Sequence, residues 1–276
     1  MSGSRPGGAP PLRITGAALR RDGRELWAGL DLDVQPGELL AVLGPSGSGK
    51  TTLLRAILGL ESLSAGRIEA LGKPVRSRGN RAIGYIPQQR PLPPETALRG
   101  RDLVALGIDG HRFGLPIPRR GDRARIDALV DAVGARRFAD RPVGLLSGGE
   151  QQRLRIGQAL ADDPRLLLCD EPLTSLDLAN QQAVVGLIDQ HRRRTDAAVL
   201  LVTHDINPVL GAVDRILYIA GGRFTLGTPD EVLTSRVLSD LYGAPVEVLR
   251  AGGRLVVVGA PDAEDSHHHH HHEASA

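Results

Sequence analysis

The sequence predicts an α/β fold, in which buried strands alternate with amphipathic helices. Two kinds of observation support this prediction. Apolar runs at residues 39–43, 165–170 and 197–203 have the length of buried strands. Segments with helical spacing of apolar residues follow two of these runs, at residues 53–60 and 178–194. We therefore expect a sheet with helices packed on its faces.

A glycine-rich loop joins the first of these strands to the first helix. It matches the pattern G-x-x-x-x-G-K-[ST] and consists of Gly44, Pro45, Ser46, Gly47, Ser48, Gly49, Lys50, Thr51 and Thr52. Backbone N–H groups in such a turn, together with a helix N-terminus, bind phosphate oxygens. We expect Lys50 to reach the β- and γ-phosphates and the Thr51 hydroxyl to ligate Mg²⁺. A chance glycine turn is the alternative, but the flanking strand and helix favour a phosphate site.

The composition limits the possible functions. A hydrophobic content of 41% is ordinary for a globular protein, and 276 residues suit one large domain or two intimate ones. The formal net charge of +2 does not argue for a nucleic-acid partner. A single cysteine, Cys169, excludes an internal disulfide and suits a reducing compartment. We recognise no secretory signal, and no apolar run approaches the ~20 residues that cross a bilayer.

The first half of the chain begins with residues 1–11, which are rich in Gly, Pro and Ser and expected to be disordered. β-type segments follow at residues 12–27 (broken by a turn at 21–24), 30–34, 66–72 and 82–86.

The amino-acid composition changes after residue 89. Residues 90–118 are rich in Pro, Gly and Arg, with one helix expected near residues 98–106. Residues 122–133 have a helical period that places four apolar side chains on one face: Ile126, Leu129, Val130 and Val133. The pattern predicts a helical subdomain at about residues 90–160, inserted between two halves of the α/β core.

In the second half, Ser147 is placed to cap a helix that runs to about residue 160. Residues 216–220 and 222–226 predict a hairpin around a glycine turn. A C-terminal extension at about residues 226–260 is expected to contain a short helix and a last strand, at 229–242 and 254–258.

An acid pair, Asp170 and Glu171, ends the apolar strand at residues 165–170. Ligands in α/β folds bind at the carboxyl ends of strands. We expect Asp170 to hold Mg²⁺ through its water shell and Glu171 to orient and polarise an attacking water. The alternative is a strand followed by a helix whose first turn is acidic because of the helix dipole. The phosphate loop upstream favours the catalytic interpretation.

Four further motifs resemble those of ABC-type ATPases and occur in the order of that family. The signature motif is matched by LSGGEQQR, which begins at Leu146 and includes Ser147, Gly148, Gly149 and Glu150. Gln88 resembles the Q-loop glutamine, Asp177 the D-loop aspartate that ends Ser175-Leu176-Asp177, and His204 the switch histidine. The resemblance covers about residues 12–224. It implies a P-loop NTPase fold with a RecA-like core, an antiparallel β subdomain and a helical insertion.

The resemblance also implies how the cofactors, ATP and Mg²⁺, are bound. Two modules of this family pair head to tail, and ATP lies between the phosphate loop of one and the signature of the other. Ser147 and Gly149 would then face the γ-phosphate, with Gly148 and Glu150 beside them. Asp177 would couple the two sites, and Gln88 would touch Mg²⁺ or water and report the nucleotide state to the helical insertion.

His204, as a neutral imidazole, would contact the γ-phosphate and help to place water and Glu171. Taken singly, His204 could be an ordinary strand-end histidine and Ser147 a plain helix cap.

The family also often places an aromatic ring near position 21 to stack on adenine, whereas this chain has Arg20 and Arg21. An arginine plane can stack on a base, or both side chains can be solvated. Cys169 is interpreted as a small buried hydrophobe rather than a redox group.

One module without a long coiled coil favours the ATP-binding subunit of a transporter. We expect a homodimer, or a pair with a similar subunit, at the cytoplasmic face of the membrane beneath permease subunits. The helical insertion near residues 90–121 would receive the permease. A non-transport ABC ATPase acting on a soluble partner is the competing class.

For the transported solute, the strand at residues 83–88 and the tail at residues 228–246 resemble ATPases of zinc/manganese uptake systems. Iron-siderophore systems share much of this pattern and remain the second interpretation. Either system would use an extracytoplasmic substrate-binding protein. The tail at residues 261–276 contains an uninterrupted run, His267 to His272. It is either a purification tag or a native metal buffer.

Overall fold

The computed structural model of the protein describes residues 9–21, 23–75, 80, 82–88, 92–109, 121–174 and 176–259. Residues 1–8, most of the segment between the two predicted helices of the insertion, Ser175 and the His-rich tail lie outside the described residues. The expectations for these segments therefore remain predictions.

The described chain alternates strands and helices along most of its length. Its strands are β1 (Leu12–Arg21), β2 (Arg24–Val34), β3 (Leu39–Leu43), β4 (Ala65–Ala70), β5 (Lys73–Pro74), β6 (Ile83–Ile86), β7 (Leu166–Asp170), β8 (Ala198–Val202), β9 (Arg215–Ala220), β10 (Arg223–Gly227), β11 (Glu247–Ala251) and β12 (Arg254–Val258). Its α-helices are α1 (Lys50–Ile57), α2 (Gly100–Asp109), α3 (Asp122–Ala132), α4 (Gly148–Leu160), α5 (Leu178–Thr195), α6 (Pro229–Val232) and α7 (Ser235–Tyr242), and a 3₁₀ turn spans Val143–Leu145.

A six-stranded sheet in the order β10-β9-β3-β8-β7-β6 forms the centre of the fold. β9, β3, β8, β7 and β6 pair in parallel, and β10 pairs antiparallel to β9 at one edge. β3, β7 and β8 are buried at every position, because helices or a second sheet cover both faces. The predicted α/β fold is confirmed.

The second sheet is antiparallel, in the order β2-β1-β4-β5. Its apolar side chains share one core with α1 and with one face of the central sheet. Trp27 on β2 is fully buried in this core, beside Leu53 and Leu54 of α1. The antiparallel sheet therefore holds α1, and with it the phosphate loop, against the central sheet.

The helices of the insertion pack on the other face of the sheet. α2 lies against α4 so closely that a Cβ on Gly107 would stand 2.1 Å from the carbonyl oxygen of Gln158. In α3, Val130 and Val133 are buried and Ile126 and Leu129 pack partly against the same core. The predicted apolar face of α3 is confirmed.

Three local expectations differ from the structure. β2 runs unbroken through the predicted gap before residue 30, because its pairing with β1 continues across irregularities in register. The helix expected at residues 229–242 is two helices, since Leu233 leaves helical geometry and the Thr234 side chain caps α7 by accepting from the Val237 N–H. β11 was not anticipated, although the Gly252-Gly253 turn between two β-type runs signals the β11–β12 hairpin.

Among the described helices, none combines the length and the apolar character that a bilayer span requires.

Replacing Trp27 with alanine tests the core between the two sheets. Because the side chain is fully buried, we expect the free energy of unfolding to fall by about 3–5 kcal/mol. Urea unfolding followed by circular dichroism measures the free energy of unfolding. Tryptophan fluorescence cannot be used, because the substitution removes the only tryptophan of the chain. Leu60→Ala, at a side chain 61% exposed, is the control and should change the value by about 0.5 kcal/mol or less. A loss below about 1 kcal/mol for Trp27→Ala would contradict this packing.

Candidate functional site

Three loops meet where parallel strands of the central sheet end. The phosphate loop follows β3, the acid pair lies at the end of β7, and His204 follows β8. The register pairs Val202 with both Val42 and Asp170, so the three strands end side by side. The sheet thus brings together residues that are more than 100 positions apart in sequence.

The phosphate loop needs glycine at two positions, because the backbone has positive φ and a neighbouring atom leaves no room for a Cβ. Gly44 has φ of 142°, and a Cβ there would lie 2.0 Å from the carbonyl oxygen of Ile219. Gly49, at the N-cap of α1, has φ of 96°, and a Cβ there would stand 2.9 Å from the indole nitrogen of Trp27. The loop is therefore pressed against β9 and β2, and its N–H groups form a concave cradle at the helix N-terminus.

Lys50 spans this loop from inside. Its Nζ donates to the carbonyl oxygens of Gly44 at 2.7 Å and Pro45 at 2.8 Å. Burial lowers the pKa of the ammonium, while the charges of Glu171 and Asp170 act in the opposite direction. A buried ammonium that is held by two carbonyls in a cradle of N–H groups suits a polyanion such as a triphosphate.

Asp170 and Thr51 form an oxygen pair beside the cradle. The Thr51 hydroxyl donates to Asp170 Oδ1 at 2.9 Å, and the Tyr85 hydroxyl lies 3.4 Å from Oδ2. Burial raises the pKa of Asp170, although both hydroxyl contacts lower it. A hydroxyl and a carboxylate are ligands that Mg²⁺ prefers, so these residues fit the cation of a metal nucleotide.

Tyr85 was not singled out by sequence reasoning. Burial, and then the charge of Asp170, raises the pKa of its phenol to about 12, so it stays a hydrogen-bond donor. Tyr85 lies on β6 and pairs with Leu168 on β7, two residues before Asp170. Its place in the predicted strand next to Gln88 is the signal that could have identified it.

Glu171 and His204 are in direct contact. Glu171 Oε2 lies 2.7 Å from His204 Nδ1 and accepts from the Thr174 hydroxyl at 3.2 Å. Glu171 has φ of 48°, an unfavourable value for a residue with a side chain, and its N–H donates to the Val202 carbonyl at 3.0 Å. The strained turn directs the carboxylate away from the line of β7 and toward the loop that follows β8.

The signature residues form the start of α4. Ser147 Oγ accepts from the Glu150 N–H at 3.3 Å, and Glu150 Oε2 accepts from the Ser147 N–H at 2.8 Å, a reciprocal capping box. Gly148 and Gly149 form the first turn of the helix, and the Ser147 side chain is exposed. The predicted cap is present.

Asp177 lies at the N-terminus of α5 and is linked to the signature helix. Its carboxylate accepts from the Asn180 N–H at 2.8 Å and from Asn180 Nδ2 at 2.9 Å. Arg153 of α4 donates to Asn180 Oδ1 at 3.0 Å. Asn180, which the sequence did not single out, therefore connects the signature helix to Asp177.

A cavity of 440 Å³ opens beside the phosphate loop. Its lining brings Gln88, Glu171 and Arg21 to the loop residues Ser46, Gly47, Gly49, Lys50, Thr51 and Thr52. An adjoining cavity of 340 Å³ runs along Pro45 and Ser48 to Gly221 and Gly222. The signature residues are not among those that line either cavity in the described part of the chain.

One polar atom at the loop supports occupancy by an anion. The Ser48 hydroxyl is buried and has no hydrogen-bond partner in the described part of the chain. A buried hydroxyl without a partner costs stability unless a ligand or water completes it. The cradle, the buried ammonium and this hydroxyl together fit a bound triphosphate.

Comparison with known proteins agrees with this geometry. The family described as ABC transporter matches residues 27–174. A zinc import ATP-binding protein, ZnuC, from Cereibacter sphaeroides is 37% identical over 82% of this chain and 86% of its own length. ZnuC from Paracoccus denitrificans is 38% identical over 79% of each chain.

Other relatives, 34 to 39% identical, are named for import of ferric ions, of spermidine and putrescine, or of aliphatic sulfonates. Among solved structures, a metal-chelate type ABC transporter in an inward-facing conformation is similar. It is 27% identical with a TM-score of 0.74, over 90% of this chain and 95% of that one.

The family match covers more than half of the chain, and relatives above 30% identity cover most of it. The cradle, the acid pair and the capped signature helix all lie in the family's order along one chain. This chain belongs to the ABC transporter family and is one of its ATP-binding ATPase subunits.

Proposed function

We propose that the chain hydrolyses MgATP to drive uptake of a divalent metal ion, zinc or manganese, through a membrane permease. The observation that supports the hydrolytic part is the Glu171–His204 contact beside the cradle that holds Lys50. The metal is inferred from the relatives.

In this proposal the cradle and Lys50 bind the β- and γ-phosphates, and Thr52 extends the loop at its helical end. Thr51, Asp170 and Gln88 would hold Mg²⁺, which supplies charge neutralisation for the phosphates when bound. The Thr51–Asp170 hydrogen bond keeps both oxygens together before the cation arrives. Tyr85 would steady Asp170 from the neighbouring strand.

Glu171 is assigned the role of the residue that orients and polarises the attacking water. Its described contacts, with Thr174 and His204, both fall on Oε2, so Oε1 is the oxygen available to accept from water. A neutral His204 that donates from Nδ1 presents an acceptor at Nε2. Contact with a γ-phosphate oxygen therefore requires that the imidazole ring turn or take up a proton.

The signature motif is assigned to a second copy of the chain. The exposed Ser147 and the first turn of α4, with Gly148, Gly149 and Glu150, would complete the nucleotide site of the partner through a hydroxyl and helix N–H groups. The Arg153–Asn180–Asp177 contacts would transmit movement between the signature helix and the D-loop.

The part of the helical insertion near residues 90–121 is assigned to permease contact. A cavity of 690 Å³ lies between α2 and α3, with Leu98, Leu106 and Ile126 in its lining. Gln88 lines the nucleotide cavity and directly precedes this subdomain in sequence. In this arrangement the ATPase lies at the cytoplasmic face of the membrane, and an extracytoplasmic binding protein delivers the solute.

The C-terminal extension at about residues 226–260 is a further unit of the ABC domain.

Three similarities bear on the solute. The first is to two ZnuC relatives, at 37% and 38% identity, which supports zinc. The resemblance of residues 228–246 to zinc/manganese uptake systems supports either metal. The similarity to a metal-chelate type transporter supports an iron-siderophore importer as the second candidate.

Glu171→Gln tests the catalytic assignment. The amide keeps the shape of the side chain but cannot accept a proton from water, so we expect ATP hydrolysis to fall by about 100-fold or more. ATP affinity should be retained, and the variant should be trapped as a dimer on size-exclusion chromatography. Glu247→Gln, at an exposed position on β11, is the matched control. Full-rate hydrolysis by Glu171→Gln would exclude this role.

Lys50→Ala tests the cradle. Loss of a charge-assisted phosphate contact should weaken ATP binding by roughly 10- to 100-fold, measured by isothermal titration calorimetry. The other lysine of the chain provides the control: Lys73→Ala, on the exposed strand β5, should bind as the wild type does. Unchanged affinity in Lys50→Ala would contradict the phosphate-loop assignment.

The solute is tested with the complete transporter in liposomes. ATP hydrolysis is measured with the binding protein loaded with zinc, manganese or a ferric siderophore. We expect stimulation by zinc or manganese, because a loaded binding protein would favour the closed ATPase pair. Stimulation only by the siderophore form would select the second candidate. A second measurement is the recovery of the chain with cell membranes, with and without a co-expressed permease. If that recovery does not depend on the permease, the chain is a non-transport ATPase.

A further inference from the structure

The C-terminal hairpin β11–β12 is hydrogen-bonded to the loop that carries His204. Asn207 Oδ1 accepts from the Leu255 N–H at 2.7 Å, and Asn207 Nδ2 donates to the Leu255 carbonyl at 2.9 Å. The amide side chain thus pairs with both backbone groups of one β12 residue, as a neighbouring strand would. These contacts join positions 48 residues apart in sequence.

Asn207 also forms hydrogen bonds with the start of the same loop. Its N–H and Nδ2 both lie 2.9 Å from Asp205 Oδ1. The Thr203 hydroxyl donates to the Asp205 carbonyl at 2.9 Å and accepts from the Asp205 N–H at 3.2 Å. Residues 203–207 therefore form consecutive hydrogen-bonded turns that run from the end of β8 to the hairpin.

The hairpin and the residue before it are also hydrogen-bonded to α7. The Ser239 hydroxyl of α7 accepts from the Val246 N–H at 2.9 Å, and the Ser235 hydroxyl accepts from the Val248 N–H at 2.9 Å. Leu255 is buried in the same core cluster as Ile206 and Val209, which follow His204 in the chain. The hairpin is therefore attached both to α7 and to the segment that follows His204.

His204 needs such a support. Its side chain is 66% exposed, whereas that of Glu171 is 12% exposed. A ring with so few packing contacts is oriented by the backbone that carries it and by the single Glu171 contact. The geometry of residues 203–207 therefore determines where the imidazole stands.

We infer that Asn207 is a positioning residue that uses the β11–β12 hairpin to hold the His204 loop against Glu171. This inference rests on the proposed function, because it deepens the role assigned to the Glu171–His204 pair. It gives the C-terminal extension a part in ATP hydrolysis, although none of its described residues lines the nucleotide cavities.

Two variants of the full chain, assembled with the permease, test the inference. Asn207→Ala removes all the side-chain contacts. Asn207→Asp keeps the shape and the acceptor for the Leu255 N–H but replaces the donor by an oxygen that faces the Leu255 carbonyl and Asp205. We expect kcat for ATP hydrolysis to fall about tenfold in both, with KM for ATP within twofold of wild type, since the cradle is untouched.

Arg250→Ala is the matched control. Arg250 is on the same hairpin and pairs with Asp230 at 2.7 Å, with both side chains exposed, and it makes no described contact with residues 203–207. We expect wild-type kcat for this variant. Hydrogen exchange, read on peptides covering residues 203–209 and 254–258, should be faster in the Asn207 variants than in the control.

The outcomes separate the inference from the proposed function. Wild-type kcat in both Asn207 variants, with Glu171→Gln inactive, would overturn the inference and leave the function intact. A parallel loss of kcat, ATP affinity and thermal stability would also overturn it, because that pattern indicates general destabilisation. Full activity in Glu171→Gln would instead overturn the catalytic role proposed for the Glu171–His204 pair, while hydrogen exchange still reports whether Asn207 holds the hairpin to the loop.

Discussion

The parallel pairing of β3, β8 and β7 sets where the loops of the candidate site lie. Strands that run in the same direction and in matched register end at the same edge, so the loops that follow them must meet. The cradle, the acid pair and His204 each belong to one of these loops. The site is thus a property of the sheet, and the burial of all fifteen strand positions keeps the register fixed.

Packing around the site restricts the loops further. The phosphate loop is pressed between β9 and β2, where the backbone of Ile219 and the indole of Trp27 leave no room for a Cβ at Gly44 or Gly49. On the other side, Glu171 holds a left-handed backbone conformation that its N–H bond to Val202 helps to maintain. The rigid sheet therefore offsets the cost of the strained turn at Glu171, which faces the same cavity as the phosphate loop.

Two asparagine side chains outside the cavities form hydrogen bonds between segments that are distant in sequence. Asn180 joins the signature helix to Asp177, and Asn207 joins the His204 loop to the C-terminal hairpin. In both cases an asparagine side chain serves as donor and acceptor at once, which lets one residue connect two segments. The Asn207 contacts link the loop that carries His204 to the C-terminal extension, and the Asn180 contacts link the signature helix to the start of α5.

Local sequence was enough to predict the α/β class, the phosphate-loop motif, the acid pair and the Ser147 cap, because each depends on spacing and residue types within a few positions. It did not determine that Tyr85 reaches Asp170, that Glu171 contacts His204, or that Asn207 pairs with a hairpin that was itself half missed. These contacts join positions 33 to 85 residues apart, so no local pattern encodes them. They follow from the folded arrangement, since strand register and packing of the C-terminal extension bring the partners within hydrogen-bonding distance.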